Sequence, residues 1–204
     1  MTNRLQLTKL IAVIGLTALL GACASPARMN AMIPERTAET TISENSPLLS
    51  SIELGAVSGG ESTNPLWTSE VGNPEFQAAL RNALANHALL AKINPKYELT
   101  AHLLNVDQPV IGTSFTVTSS VRYEIIDKKS RKHIINETIQ TPYTASFSDA
   151  FIAVERLRLA NEGAIRENIA ALIKLVVAES EKFAELMHNQ SPDLTELQTN
   201  RPAS

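Results

Sequence analysis

The sequence predicts one α+β domain: an antiparallel sheet of about four strands with two helices on one face, in the order strand–helix–strand–strand–strand–helix. Three observations carry this. Residues 113–127 alternate apolar and polar, with Phe115, Val117, Val121, Tyr123 and Ile125 on one side and Thr116, Thr118, Ser120, Arg122 and Glu124 on the other. One wet face and one buried face mark a sheet covered on a single side. Two long stretches, near 73–92 and 148–188, each carry a single apolar stripe at helical spacing, so each should lie on that sheet. Finally, 44% hydrophobic and 19% charged residues suit a globular core rather than a disordered chain.

The N-terminus has three parts. Arg4 and Lys9 are basic, Leu10–Leu20 is an apolar run, and Gly21 and Ala22 are small residues before Cys23, the single cysteine. The run is too short for a mature membrane-spanning helix, which needs about 20 residues, and fits the apolar core of a secretory signal. Leu20-Gly21-Ala22-Cys23 resembles the lipobox of bacterial lipoproteins. That resemblance implies cleavage after residue 22, lipidation of Cys23 and a membrane anchor, and Ala24 after the cysteine implies sorting to the outer membrane with the domain facing the periplasm. Removing residues 1–22 leaves 16 basic against 21 acidic residues, a formal charge of −5. A mildly acidic chain lacks the electrostatic footprint of a nucleic-acid binder. One cysteine allows no internal disulfide and no four-cysteine zinc site.

Residues 23–50 read as the lipidated N-terminus and a flexible tether, with Pro26, Pro34, Pro47 and no sustained period. As a coil, 24–50 would span about 30 Å, from about 5–6 Å × √n. Composition does not say whether Met29–Ile33 docks on the domain. The folded domain is expected over 51–188 and a polar tail over 189–204. Ser51–Val57 is a strand candidate broken by Gly59-Gly60. The loop 61–72 holds Trp67, the single tryptophan, read as a lid over the core edge or as a partner-facing anchor.

Asn73, Pro74 and Glu75 make a helix start, and Phe76, Leu80, Ala83, Leu84 and Ala88 its stripe. The helix is expected to end near Lys92, before Asn94-Pro95. Tyr97–Asp107 alternates until Leu103-Leu104, a bulge or the end of one-sided burial. Lys128–Lys132 is a basic turn, and His133–Phe147 the returning strand, with Ile135, Ile139, Tyr143 and Phe147 in phase. Pro142 assigns that strand to an edge.

Ser148 and Asp149 open the last helix, whose stripe runs Phe151, Val154, Leu157, Ala164, Ile165, Ile169, Leu172, Leu175, Val176. Arg158, Glu162 and Arg166 are spaced four apart as a surface ladder. Asn161 and Asn168 share a face, either bonding backbone at the stripe's margin or forming a polar notch toward a partner. A rod running to His188 exceeds what the sheet can cover, so a break or overhang is expected near Val177–Ser180, with Phe183, Leu186 and Met187 as a second apolar patch. Trp67, Asn161, Asn168, Phe183 and Met187 are therefore the candidate partner-facing residues.

Behind its lipobox and linker this order of elements, with the Ala79–Leu84, Arg122–Asp127 and Ala160–Leu172 segments, resembles the ABC-type transport auxiliary lipoproteins. More loosely it resembles other small envelope-assembly lipoproteins such as the lipopolysaccharide-assembly component. The resemblance implies a non-catalytic adaptor with a protein partner in the envelope, acting in lipid or glycolipid trafficking. No Gly-x-Ser-x-Gly, phosphate-binding glycine loop or His-Glu-x-x-His is present, and His87, His102, His133 and His188 are scattered, so no enzyme, cofactor or metal site is expected. A lipid- or wall-ligand-binding module, which would need a cavity between helices and sheet, is the alternative, and an unrecognised hydrolase a third.

Overall fold

The order read from the sequence recurs as β1 (Ile52–Ser58), α1 (Asn73–Asn86), β2 (Tyr97–Asp107), β3 (Phe115–Asp127), β4 (His133–Ala145) and α2 (Ala153–Gln190). These elements come from a computed structural model that describes residues 25–61, 70–109 and 111–190, the last four of them by backbone only. The fold class is α+β, and the four strands lie in the order β1-β2-β3-β4.

The sheet is mixed rather than wholly antiparallel. β3 pairs antiparallel with both neighbours, but β1 pairs parallel with β2, with Ile52 opposite Tyr97 and Ser58 opposite His102. The strand–helix–strand order accounts for this, because α1 carries the chain back to the end where β1 began and a parallel pair needs such a crossover. The slip at Leu103-Leu104 is a bulge, across which the register with β3 shifts between Leu103 and Asn105. Pro142 lies on β4, the edge strand, as its missing N–H requires.

The core lies between sheet and helices. Tyr97, Leu99, Val121, Tyr123 and Ile125 from the sheet meet Phe76, Leu80 and Leu84 of α1 and Ile165, Ile169, Leu172 and Val176 of α2. A second cluster joins Phe115, Val117 and Ala145 to Leu157, Ala160 and Ala164.

The helix ends differ from expectation for local reasons. Gly72, not Asn73, caps α1, and the Asn73 side chain instead accepts the Gly60 amide at 2.7 Å. α1 stops six residues before Lys92 in a Schellman turn: Leu89 N–H bonds the Leu84 carbonyl at 2.8 Å, Ala88 N–H bonds the Ala85 carbonyl at 3.1 Å, and Ala88 takes φ +58°. α2 starts at Ala153 rather than Ser148, because Asp149 Oδ2 accepts both the amide and the hydroxyl of Ser146, each at 2.7 Å. Such short acidic side chains favour turns over helix. Phe147 and Phe151, expected in buried stripes, consequently stand outside strand and helix and are 50% and 79% exposed. α2 does not break near Val177–Ser180; it continues to Gln190 and overhangs the sheet.

The described part of the expected tether is no free coil. Residues 25–50 lie on the domain through two short 3-10 turns, Met29–Met32 and Ala38–Thr40, and Ala27, Met32, Ile42 and Leu48 are buried in the main core. Their irregular spacing gives no period to detect, because a chain packing through isolated turns presents a face only at scattered positions.

Candidate functional site

Helix α2 is the platform on which both the sheet and the N-terminal segment are held. On its sheet side the Ser119 and Thr141 hydroxyls donate to the Ala164 carbonyl at 3.0 and 2.9 Å. Asn168 Nδ2 donates to the Ile139 carbonyl at 2.9 Å and lies 3.2 Å from Ser119 Oγ. Asn161 and Asn168 are both fully buried, so neither forms a notch facing a partner. Asn168 does bond backbone, as its alternative reading held, but inside the core rather than at a margin. Gly163 is needed beside them: a Cβ there would lie 2.1 Å from the Tyr143 ring.

On the N-terminal side, Glu162 belongs to no surface ladder. Its side chain is 2% exposed and takes the Arg28 amide at 2.8 Å, Arg28 Nε at 3.0 Å and Arg28 Nη2 at 3.2 Å. These bonds to Glu162 push the Arg28 guanidinium above its ordinary pKa. Arg158 Nε lies 3.7 Å from the same carboxylate. Farther along, Arg166 donates to the Ala31 carbonyl at 3.0 Å, Lys174 pairs with Glu39 at 2.6 Å, and the Ser180 and Ser46 hydroxyls meet at 2.6 Å. The Lys174 ammonium bonds Glu39 and holds its carboxyl below the usual value. The segment is thus fastened at four levels of α2. None was readable in advance, because each pair joins residues far apart in sequence.

Among the described residues, clefts lie at two places. One of about 710 Å³ runs between the N-terminal segment and α2, lined by Asn30, Pro34, Thr37, Arg166 and Lys174 among others. The other, about 410 Å³, lies by the ends of β1 and β2, with Glu61, Glu70, Leu103 and Asp107 in its wall.

The histidines are not gathered. His102 pairs across β3 with Arg122 and His133 with Ile126, four residues apart along β3 and on its opposite sides. His87 is buried with Nδ1 2.8 Å from the Ala83 carbonyl. Ser58 Oγ lies 2.7 Å from His102 Nδ1, a distance a nucleophile–base pair could use. Its cross-strand neighbour, however, is the cation Arg122, where a catalytic pair places a carboxylate to orient the ring. Among the described residues no cluster of three His, Cys, Asp or Glu could hold a metal ion, and no helix is long and apolar enough to cross a membrane.

The remaining candidates lie at the ends. Cys23 and Trp67 fall outside the described residues. Ser180 is the last buried residue described on α2. Beyond it Phe183 is half-buried and Leu186 is 58% exposed, while Met187 is placed on the helix by backbone alone.

The sequence matches no family model, and no curated protein matches it. Among solved structures, the fold is similar to that of a Xanthomonas campestris protein of the family model DUF330, with TM-score 0.53 and 10% identity over 75% of this chain and 98% of that one. A candidate lipoprotein of Caulobacter crescentus CB15 superposes with TM-score 0.44 and 20% identity over 76% and 96% of the two chains. A minor lipoprotein of Acinetobacter baumannii gives 0.39 and 13% over 63% and 91%. The Xanthomonas likeness is one of fold, and the two weaker superpositions add nothing to it.

Proposed function

We propose that this chain is a bacterial lipoprotein of the outer membrane, anchored through Cys23, that acts as a non-catalytic accessory in envelope transport or assembly. The observation that carries the reading is the Leu20-Gly21-Ala22-Cys23 junction between an apolar run and a polar chain. Its packing supports an adaptor: the ion pairs and buried polar groups of α2 fasten the N-terminal segment and the sheet. The partner in the envelope is a protein, met by the overhang of α2 beyond Ser180, where half-buried Phe183 and exposed Leu186 lie three residues apart on one face of the helix.

Crosslinking in intact cells followed by affinity capture from membranes tests the adaptor role. A discrete envelope protein should be captured with the wild type and lost with Leu186→Glu, which leaves the buried core untouched. Equal capture by both forms would remove the overhang as the contact, and capture of no protein at all would remove the adaptor reading.

A further inference from the structure

We propose that the end of the sheet where the N-terminal segment enters is a membrane-docking face, whose apolar loop tips enter the phospholipid leaflet that holds the Cys23 acyl chains. The inference rests on the lipidation of Cys23 and adds the orientation of the domain to it.

The chain enters the domain at one end. Ala27 N–H donates to the Glu70 carbonyl at 3.2 Å, and Gln108 Nε2 donates to Glu70 Oε2 at 3.1 Å, which places residue 27 beside the β2–β3 connection. Ser25, the first described residue, follows Cys23 by two positions, a length of chain that reaches at most about 7 Å at about 3.3–3.6 Å per residue. A packed segment with so short a link cannot hold the domain at the stand-off a free coil would give.

Among the described residues, the same end carries most of the large apolar side chains left in water. Phe115 pairs with Ala145, so β3 begins and β4 ends there, next to residues 111–114 and 146–152. Ile111 is 90% exposed, Phe151 79%, Phe147 50% and Ile152 49%. Surface apolar groups scattered singly need no explanation, but several gathered at one end of a small domain mark a contact.

The tip is built, not frayed. Phe147 and Phe151 meet edge to face at 4.9 Å. Arg156 beneath them is 4% exposed, donates to the Ala150 and Phe151 carbonyls at 2.7 and 2.9 Å, and lies 5.3 Å from the centre of the Phe147 ring. The Ser146–Asp149 turn fixes the other side. The fold therefore spends its hydrogen bonds holding two phenyl rings out in solvent.

Charge selects the kind of surface. Glu61, Glu70, Asp107 and Asp149 lie at this end with Arg28, a cation already paired with Glu162, whereas Lys128, Lys129, Arg131 and Lys132 form the β3–β4 turn at the opposite end of the sheet. A face without a basic cluster draws no attraction from anionic headgroups and depends on apolar burial, so zwitterionic lipid is the fitting surface.

The test uses the full lipidated protein in phosphatidylcholine vesicles whose acyl chains carry bromine. With Trp67→Phe as background, single tryptophans are placed by Phe151→Trp and by Lys129→Trp; both sites are exposed. Fluorescence should be quenched about twofold or more at position 151 and not at 129. In the unsubstituted protein, a carbene precursor dissolved in the acyl chains should label the peptide holding Phe147–Ile152 and spare 128–132, which guards against a variant that fails to fold. Palmitate labelling of the same preparations separates the two claims. A palmitate-labelled protein with position 151 unquenched and its loop unlabelled by carbene overturns the docking face alone. A protein without palmitate overturns the anchor, and the docking face with it.

Discussion

At the scale of single residues, stability concentrates on a few contacts made inside the core. Asn168→Ala removes the donor to the Ile139 carbonyl and to Ser119 Oγ, although Ser119 keeps its bond to the Ala164 carbonyl. It should cost about 2–3 kcal/mol in chemical denaturation; a loss under about 0.5 kcal/mol would show that the seam contributes little. Gly163→Ala drives a methyl into the Tyr143 ring and should cost about 2 kcal/mol or more. Ala88→Gly acts in the other direction: the αL conformation at φ +58° is strained for alanine, so glycine should raise stability by about 1 kcal/mol. Three carboxylates set the acid response. Hydrogen bonds from Ser130 hold Asp127 below its ordinary value, those from Ser146 hold Asp149 down, and Lys174 lowers Glu39. Because the folded values lie below the unfolded ones, this contribution is complete above the ordinary 3.8–4.5 range and is lost as pH falls through the depressed values. Stability should therefore decline below about pH 4, and Asp127→Asn should flatten part of that decline in a pH series of thermal melts.

Elements with a strong period were legible in the sequence, and those held by isolated contacts were not. β3 and the stripe of α2 from Leu157 to Val176 follow from alternation and helical spacing, since each buries one face over that stretch. The helix starts were harder. Ser148 read as the cap of α2 with Asp149 in its first turn; Asp149 instead closes a turn with Ser146, which leaves Phe147 and Phe151 in solvent rather than in the expected core. Asn161 and Asn168 read either as margin residues bonding backbone or as a polar notch, and neither reading placed them inside the core, because nothing in α2 itself reveals that Ser119 and Thr141 lie opposite. Residues 25–50 read as a coil because Met32, Ile42 and Leu48 share no period, although all three are buried. Their docking should respond to one residue. Arg28→Ala removes both guanidinium bonds and leaves the buried Glu162 with the residue 28 amide at 2.8 Å and Arg158 as its one remaining cation, at 3.7 Å. Since Arg28 is itself more than half exposed, the cost should be about 1–2 kcal/mol rather than that of a fully buried pair. Limited proteolysis should then cut first within 25–50; an unchanged cleavage pattern would show that the apolar contacts suffice alone.

For the whole molecule, the N-terminal segment sets where everything else stands. Attached at Cys23 and packed from residue 25 onward, the domain would rest with its Phe147–Ile152 end at the lipid and extend α2 away from it. The helix spans about 57 Å at 1.5 Å per residue, so its overhang lies at the far side from the anchor. That polarity suits an accessory that presents a surface to an envelope partner. Everything in this arrangement depends on the first residue of the mature chain. Intact and N-terminal peptide mass spectrometry of protein extracted from bacterial membranes reads it directly. The expected product begins at Cys23 and carries the added mass of acyl chains; a chain that begins at Met1, or one whose Cys23 bears no lipid, would contradict it.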